Sequence, residues 1–142
     1  MPKKAKLKDD QSVARYLPRR SLIIDPKTKE IRGCFPSAFK LRPGETYLSA
    51  HWVEHYAGGA AKSVSAISTA MASTGFDTQA GSGFAVGTVG AIRAVCQPAQ
   101  VSAVHSPKHK RPAYTEVWNI PQEDDAKLAR LGLTAWSQVF PN

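Results

Sequence analysis

The sequence predicts an α+β fold: a mixed or mainly antiparallel sheet of about six strands, one central helix and a C-terminal helix. Three observations carry this. Several short runs alternate apolar and polar residues, as in Tyr47-Leu48-Ser49-Ala50-His51-Trp52, and each is bounded by Gly, Pro or Asp. Ala60 to Thr74 instead places Val64, Ile67 and Met71 at helical spacing between Gly59 and Gly75. The acidic run Glu123-Asp124-Asp125 then precedes Leu128, Leu131, Trp136 and Val139, which suits a helix start followed by its buried side.

The chain has 142 residues, 42% of them apolar, enough for one domain with its own core. Residues 1–9 read as a basic flexible tail and residues 10–142 as a single α+β domain. A short helix is expected after the tail, capped by Asp9 or Asp10, with Val13, Tyr16 and Leu17 on one face and Pro18 ending it. Ser21 to Ile24 reads as a strand. Asp25-Pro26-Lys27-Thr28-Lys29 is a turn, and Glu30-Ile31-Arg32 begins the return strand. Arg42-Pro43-Gly44-Glu45 is a second turn, leading into the strand Tyr47 to Trp52. After the helix and a polar loop from Gly75 to Gly83, Phe84 to Cys96 reads as one long strand with bulges at Gly87 and Gly90. Gln100 to His105 and Ala113 to Ile120 are further strands, and Gly132 is placed to interrupt the last helix.

Formal charge is +8, which favours anionic partners: RNA or single-stranded DNA first, an acidic protein next. The excess is uneven. Residues 1–33 hold ten Lys and Arg against four Asp and Glu, whereas residues 57–107 hold only Lys62, Arg93 and Asp77. The expected nucleic-acid contacts are therefore Lys3, Lys4, Lys6, Lys8, Arg19 and Arg20 near the N-terminus, and the loop Lys108-His109-Lys110-Arg111. Both groups read equally as solvated surface. Tyr114 and Trp118 beside that loop could stack unpaired bases or serve as core. Two isolated cysteines, Cys34 and Cys96, give neither a zinc spacing nor a disulfide framework and suit buried thiols in a reducing cytoplasm. No apolar run is long enough to span a membrane, and no cofactor fingerprint is present.

His51-Trp52-Val53-Glu54-His55 spells H-x-x-E-H, a zinc-protease sequence that needs both histidines on one helical face. Here it continues a strand, where the two rings would lie roughly 13 Å apart, so no metal is expected.

Ser37-Ala38-Phe39, Leu48-Ser49-Ala50-His51-Trp52, His105-Ser106-Pro107 and Pro112-Ala113-Tyr114-Thr115-Glu116-Val117 form a further pattern. It resembles a group of small, poorly characterised bacterial proteins with Ser-x-Ala-Phe, Leu-Ser-x, His-x-Pro and Pro-Ala-His-x-Glu segments. Tyr114 stands where that pattern has histidine. The resemblance covers the middle half of the chain. It implies an association with mobile or defence loci and no particular reaction.

The residues themselves suggest a site. Tyr114 and Glu116 share a strand face, and His105 closes the strand before the basic loop. A cleft formed by His105, Tyr114 and Glu116, with Arg42 or Ser49 on its opposite wall, would pair an imidazole with a carboxylate beside cations, as general acid–base attack on a phosphodiester requires. Glu45 could pair with Arg42 across the Pro43-Gly44 turn. A structural polar network accounts for the same residues. The sequence thus allows a nucleic-acid-binding accessory protein, a small enzyme acting on RNA or a nucleotide, or an interaction subunit docking an acidic partner.

Overall fold

The computed structural model describes residues 4–142. Among them a seven-stranded sheet runs in the order β1 (Ala5–Lys6), β7 (Ser102–His105), β8 (Tyr114–Trp118), β5 (Leu48–Trp52), β2 (Ser12–Leu17), β6 (Gly83–Thr88) and β9 (Gln138–Pro141). Every neighbouring pair is antiparallel. β3 (Leu22–Ile24) and β4 (Ile31–Cys34) form a separate hairpin around the Asp25–Lys29 turn. Asp25 explains that turn: its Oδ1 accepts the backbone N–H groups of Lys27 and Thr28 at 2.8 and 3.1 Å.

Helices cover both faces. On one, α1 (Ala60–Ser73) buries Val64, Ile67 and Met71 against Ala14, Phe84 and Val86 of β2 and β6. This is the helix the periodicity predicts, ended by Gly75 at φ +86. On the other face, α2 (Val89–Cys96) and α3 (Asp125–Arg130) close over Val13, Ala50, Ala85, Ala103 and Val117, with Phe39 stacked on Trp136 at 5.0 Å. α2 and α3 each have a side-chain cap: Thr88 Oγ1 accepts Ala91 N–H, and Asp124 Oδ1 accepts Lys127 N–H.

Four local expectations are overturned. The predicted helix from Asp10 to Leu17 is β2, paired with β5 and β6 on either side. Its alternation puts Val13 and Leu17 in one core and Ala14 in the other, a pattern that short helical spacing mimics. The tail is not free throughout: Ala5 and Lys6 pair with His105 and Val104, and Leu7 N–H reaches Ala103 O at 2.8 Å. The strand expected from Phe84 to Cys96 breaks at Thr88 into α2. Gly87 is no bulge. A Cβ there would stand 2.1 Å from Ala135 O, so glycine admits the close backbone of the C-terminal segment. Finally, α3 passes into a π-helical turn, Leu131–Ala135, and the chain then leaves as β9 rather than continuing helical to Val139. Gly132 lies in that turn, where a Cβ would stand 3.1 Å from Cys34 O. Cys34 and Cys96 are buried free thiols, and burial pushes both up to about 11. No helix among the described residues is long and apolar enough to cross a membrane.

Candidate functional site

α1 covers the β2–β6 half of its face and leaves β5 and β8 to other groups. The uncovered half is polar because of register. Ser49 stands opposite Glu116, and His51 opposite Tyr114, so all four side chains share this face, while Leu48, Ala50 and Val117 point into the opposite core. Ser49 Oγ and Tyr114 Oη lie 2.8 Å apart, and Tyr114 Oη donates to Tyr47 Oη at 3.3 Å. Glu116 is buried. It accepts Trp118 Nε1–H at 3.1 Å and pairs with Lys4 Nζ at 3.4 Å. Lys4 therefore closes one side of this polar face.

The basic loop closes another. Lys108 and Arg111 form an isolated bridge, with Lys110 at φ +62 at the tip. Lys108 Nζ sits 4.0 Å over the Tyr114 ring. Arg111 donates from Nε and Nη2 to Thr74 Oγ1 at 3.0 and 2.8 Å, tying the loop to the end of α1, and lies over Phe76 at 5.6 Å.

Beside these residues β2 and β5 part. They pair only at Val13–Trp52 and Ala14–His51. Beyond that point Arg15 takes the place of the missing ladder, donating from Nη1 to Ser49 O and from Nε to Ala38 O, both at 2.8 Å. Burial pulls Arg15 down to about 10, with Glu45 opposing, so it stays charged at neutral pH. A cavity of about 120 Å³ opens there, lined by Arg15, Arg42, Arg111, Glu45, Ser49 and His51, with Met71 and Phe76 as its apolar wall. His51 is 3% exposed and meets Tyr114 edge to face at 5.7 Å. Burial first, then Arg111, drops its pKa to about 3, so the ring is neutral. Among the described residues His51 Nε2 is the one buried side-chain polar atom without a hydrogen-bond partner.

A groove of about 340 Å³ adjoins this cavity and shares Arg15, Tyr16 and Arg42 with it. Arg20 and Lys40 add two more cations, and no carboxylate lines it. Lys40 Nζ also reaches Asp125 at 3.4 Å.

The predicted constellation comes together in part. Tyr114, Glu116 and Ser49 meet, but Ser49 lies beside Glu116 in the same sheet rather than on an opposing wall. His105 does not join them. It pairs with Thr115, which places its side chain on the other face, and its Nε2 lies 2.7 Å from Pro112 O. Its ring packs on Trp52 and His55 at 5.0 and 5.9 Å. The period-two alternation that aligns Tyr114 with Glu116 is what turns His105 away. Arg42 lines the cavity, while Glu45 Oε1 accepts the Arg42 backbone N–H at 2.6 Å instead of pairing with its guanidinium.

The H-x-x-E-H residues also separate. A 3₁₀ turn, Val53–His55, replaces the continuing strand. His51 faces the cavity, His55 packs with Trp52 and His105, and Glu54 Oε1 accepts Ser12 N–H at 2.6 Å. Lys6, Lys8, Arg19, His109 and Lys110 are exposed, as is Arg20 at the groove; Lys3 lies outside the described residues. Sequence reasoning missed Arg15 and His51 as partners in one cavity. The signal for Arg15 was a charged residue between Val13 and Leu17 on the buried side of what is in fact a strand.

Comparison with family models, with curated proteins and with solved structures finds no match for this chain.

Proposed function

We propose that the protein binds single-stranded nucleic acid through its basic groove. One observation carries the reading: four cations, Arg15, Arg20, Lys40 and Arg42, line a continuous groove with no carboxylate among its lining residues. Such a surface attracts a phosphate backbone without regard to sequence. Lys108 over Tyr114 and the exposed Lys110 extend the same sign of charge past the cavity. The net charge of +8 supplies the long-range attraction.

This reading is supported over a small RNA- or nucleotide-acting enzyme by the position of His105. An acid–base mechanism of the kind the sequence suggests needs that imidazole beside Tyr114 and Glu116, and the register carries it to the other face. An acidic protein partner would use the same cations and enters as a competitor.

The test is fluorescence anisotropy with a labelled single-stranded RNA and a single-stranded DNA of about a dozen nucleotides, each titrated at several salt concentrations. The expected result is binding of both, with log K falling linearly against log salt at about 0.7 per phosphate engaged. Arg20→Ser with Lys40→Ser should reduce that slope and weaken all sequences alike. Replacing Lys108, Lys110 and Arg111 by Ser should weaken binding in the same sequence-independent way. Absence of binding at low salt, or binding insensitive to all these substitutions, overturns the proposal.

A further inference from the structure

We infer that the 120 Å³ cavity adjoining this groove is a receptor for the terminal phosphate of the bound strand, so that the protein prefers phosphorylated ends. The inference rests on the reading of the groove as a nucleic-acid surface and names what the cavity adjoining it recognises.

Size is the first argument. The cavity holds about 120 Å³, the share of roughly four waters in the liquid. A tetrahedral oxyanion fits within that volume. The groove beside it is nearly three times larger, at about 340 Å³, and suits the backbone that follows.

Charge is the second. Arg15, Arg42 and Arg111 line the cavity against the single carboxylate of Glu45, a surplus of two positive charges. A phosphomonoester carries about −1.5 to −2 near neutral pH, whereas an internal phosphodiester carries −1. The cavity therefore balances an end rather than the middle of a strand. Arginine is the side chain suited to this, since its planar fork meets two oxygens of one phosphate.

Unused hydrogen-bonding capacity is the third argument and the most specific. Arg15 spends Nε and one Nη1 proton on backbone carbonyls, and among the described residues its Nη2 meets no acceptor. His51, 3% exposed, lines the cavity and has Nε2 without a partner among the described residues. A buried polar atom left this way costs stability unless something fills the role. A neutral imidazole has one N–H to place. An anion in the cavity favours the tautomer with the proton on Nε2, which then donates to a phosphate oxygen. Ser49 Oγ gives its one proton to Tyr114 Oη at 2.8 Å, since Tyr114 donates onward to Tyr47, and it can turn that proton to the anion instead. Because β2 and β5 separate only after Ala14–His51, the strands themselves create the opening that this set of donors surrounds.

The experiment compares one oligonucleotide in three forms, with a 5′-phosphate, a 3′-phosphate or only hydroxyl ends, by anisotropy at fixed salt, using the full chain. Inorganic phosphate serves as competitor. At least one phosphorylated form should bind ten-fold or more tightly than the hydroxyl form, and inorganic phosphate should remove that advantage. Arg42→Gln, which lines both groove and cavity, should weaken every form and the phosphorylated one several-fold more, whereas Ser49→Ala should shrink the preference several-fold while leaving the hydroxyl-ended strand within two-fold of the parent. His51→Phe should do the same, with its circular dichroism melt recorded to show that it folds. Equal affinity for all three ends, or a preference unchanged by Arg42→Gln and Ser49→Ala, overturns the inference while salt-dependent strand binding still stands. Loss of all strand binding by the parent overturns both.

Discussion

Replacing His51 by Phe should flatten the acid side of the stability curve. His51 is 3% exposed and held neutral, its pKa lowered from 6.5 to about 3 by burial and by Arg111. In the unfolded chain the ring titrates near 6.5. The folded value lies below the unfolded one, so the unfolded state takes up the proton first as pH falls. The stability that the neutral ring confers is complete above about pH 6.5 and is lost progressively toward pH 3. At 1.36 kcal/mol per pH unit the loss from this residue is about 2 kcal/mol by pH 5 and approaches about 5 kcal/mol near pH 3. Phe keeps a ring against Tyr114 and has nothing to titrate. It also removes the unpartnered Nε2, worth about 1–3 kcal/mol, against a packing cost of similar size for the larger ring. The offset at pH 7.5 is therefore small in either direction, and the slope is the measurement. Urea unfolding, followed by the fluorescence of Trp52, Trp118 and Trp136 in phosphate-free buffers from pH 4 to 8, gives it directly. The parent should lose about 1.4 kcal/mol more per pH unit than the variant between pH 6 and 4. Parallel curves would refute the claim that this imidazole is buried and neutral.

Other substitutions test the frame around the site. Gly87→Ala should cost about 1–3 kcal/mol in a denaturant melt, because the added Cβ meets Ala135 O at 2.1 Å and Trp136 Cα at 2.9 Å; an unchanged melt would contradict that close approach. Ile67→Ala, fully buried between α1 and the sheet, should cost about 2–5 kcal/mol. Tyr114→Phe should cost about 1 kcal/mol by breaking the Ser49–Tyr114–Tyr47 hydroxyl chain, with no change in the far-ultraviolet spectrum. Cys34 and Cys96, buried and raised to about 11, should resist a thiol reagent at pH 8 in the native protein and react together once it is unfolded.

Whatever depends on neighbours a few residues apart is legible in the chain before it folds. The Asp25–Lys29 turn rests on one Asp accepting two local N–H groups, and α1 on an apolar stripe between glycines. The sharing of one face by Ser49 and His51, and by Tyr114 and Glu116, follows from alternation along one strand. Tertiary structure decided what depends on pairing partners. Six residues from Ser12 to Leu17 fit a helical stripe or a strand, and only the neighbours β5 and β6 select the strand. Phe84 to Cys96 is apolar but for Thr88, Arg93 and two glycines, so it reads as one strand, and Thr88 is marked as a cap only once α2 has formed. His105 stands three places from Ser102 at the end of its strand, and the pairing with Thr115, invisible in a linear reading, sends it away from Glu116. The cavity itself arises where β2 and β5 stop pairing. Arg15, Arg42, His51 and Arg111 come from four separate segments, and only the folded sheet brings their unspent donors to one place.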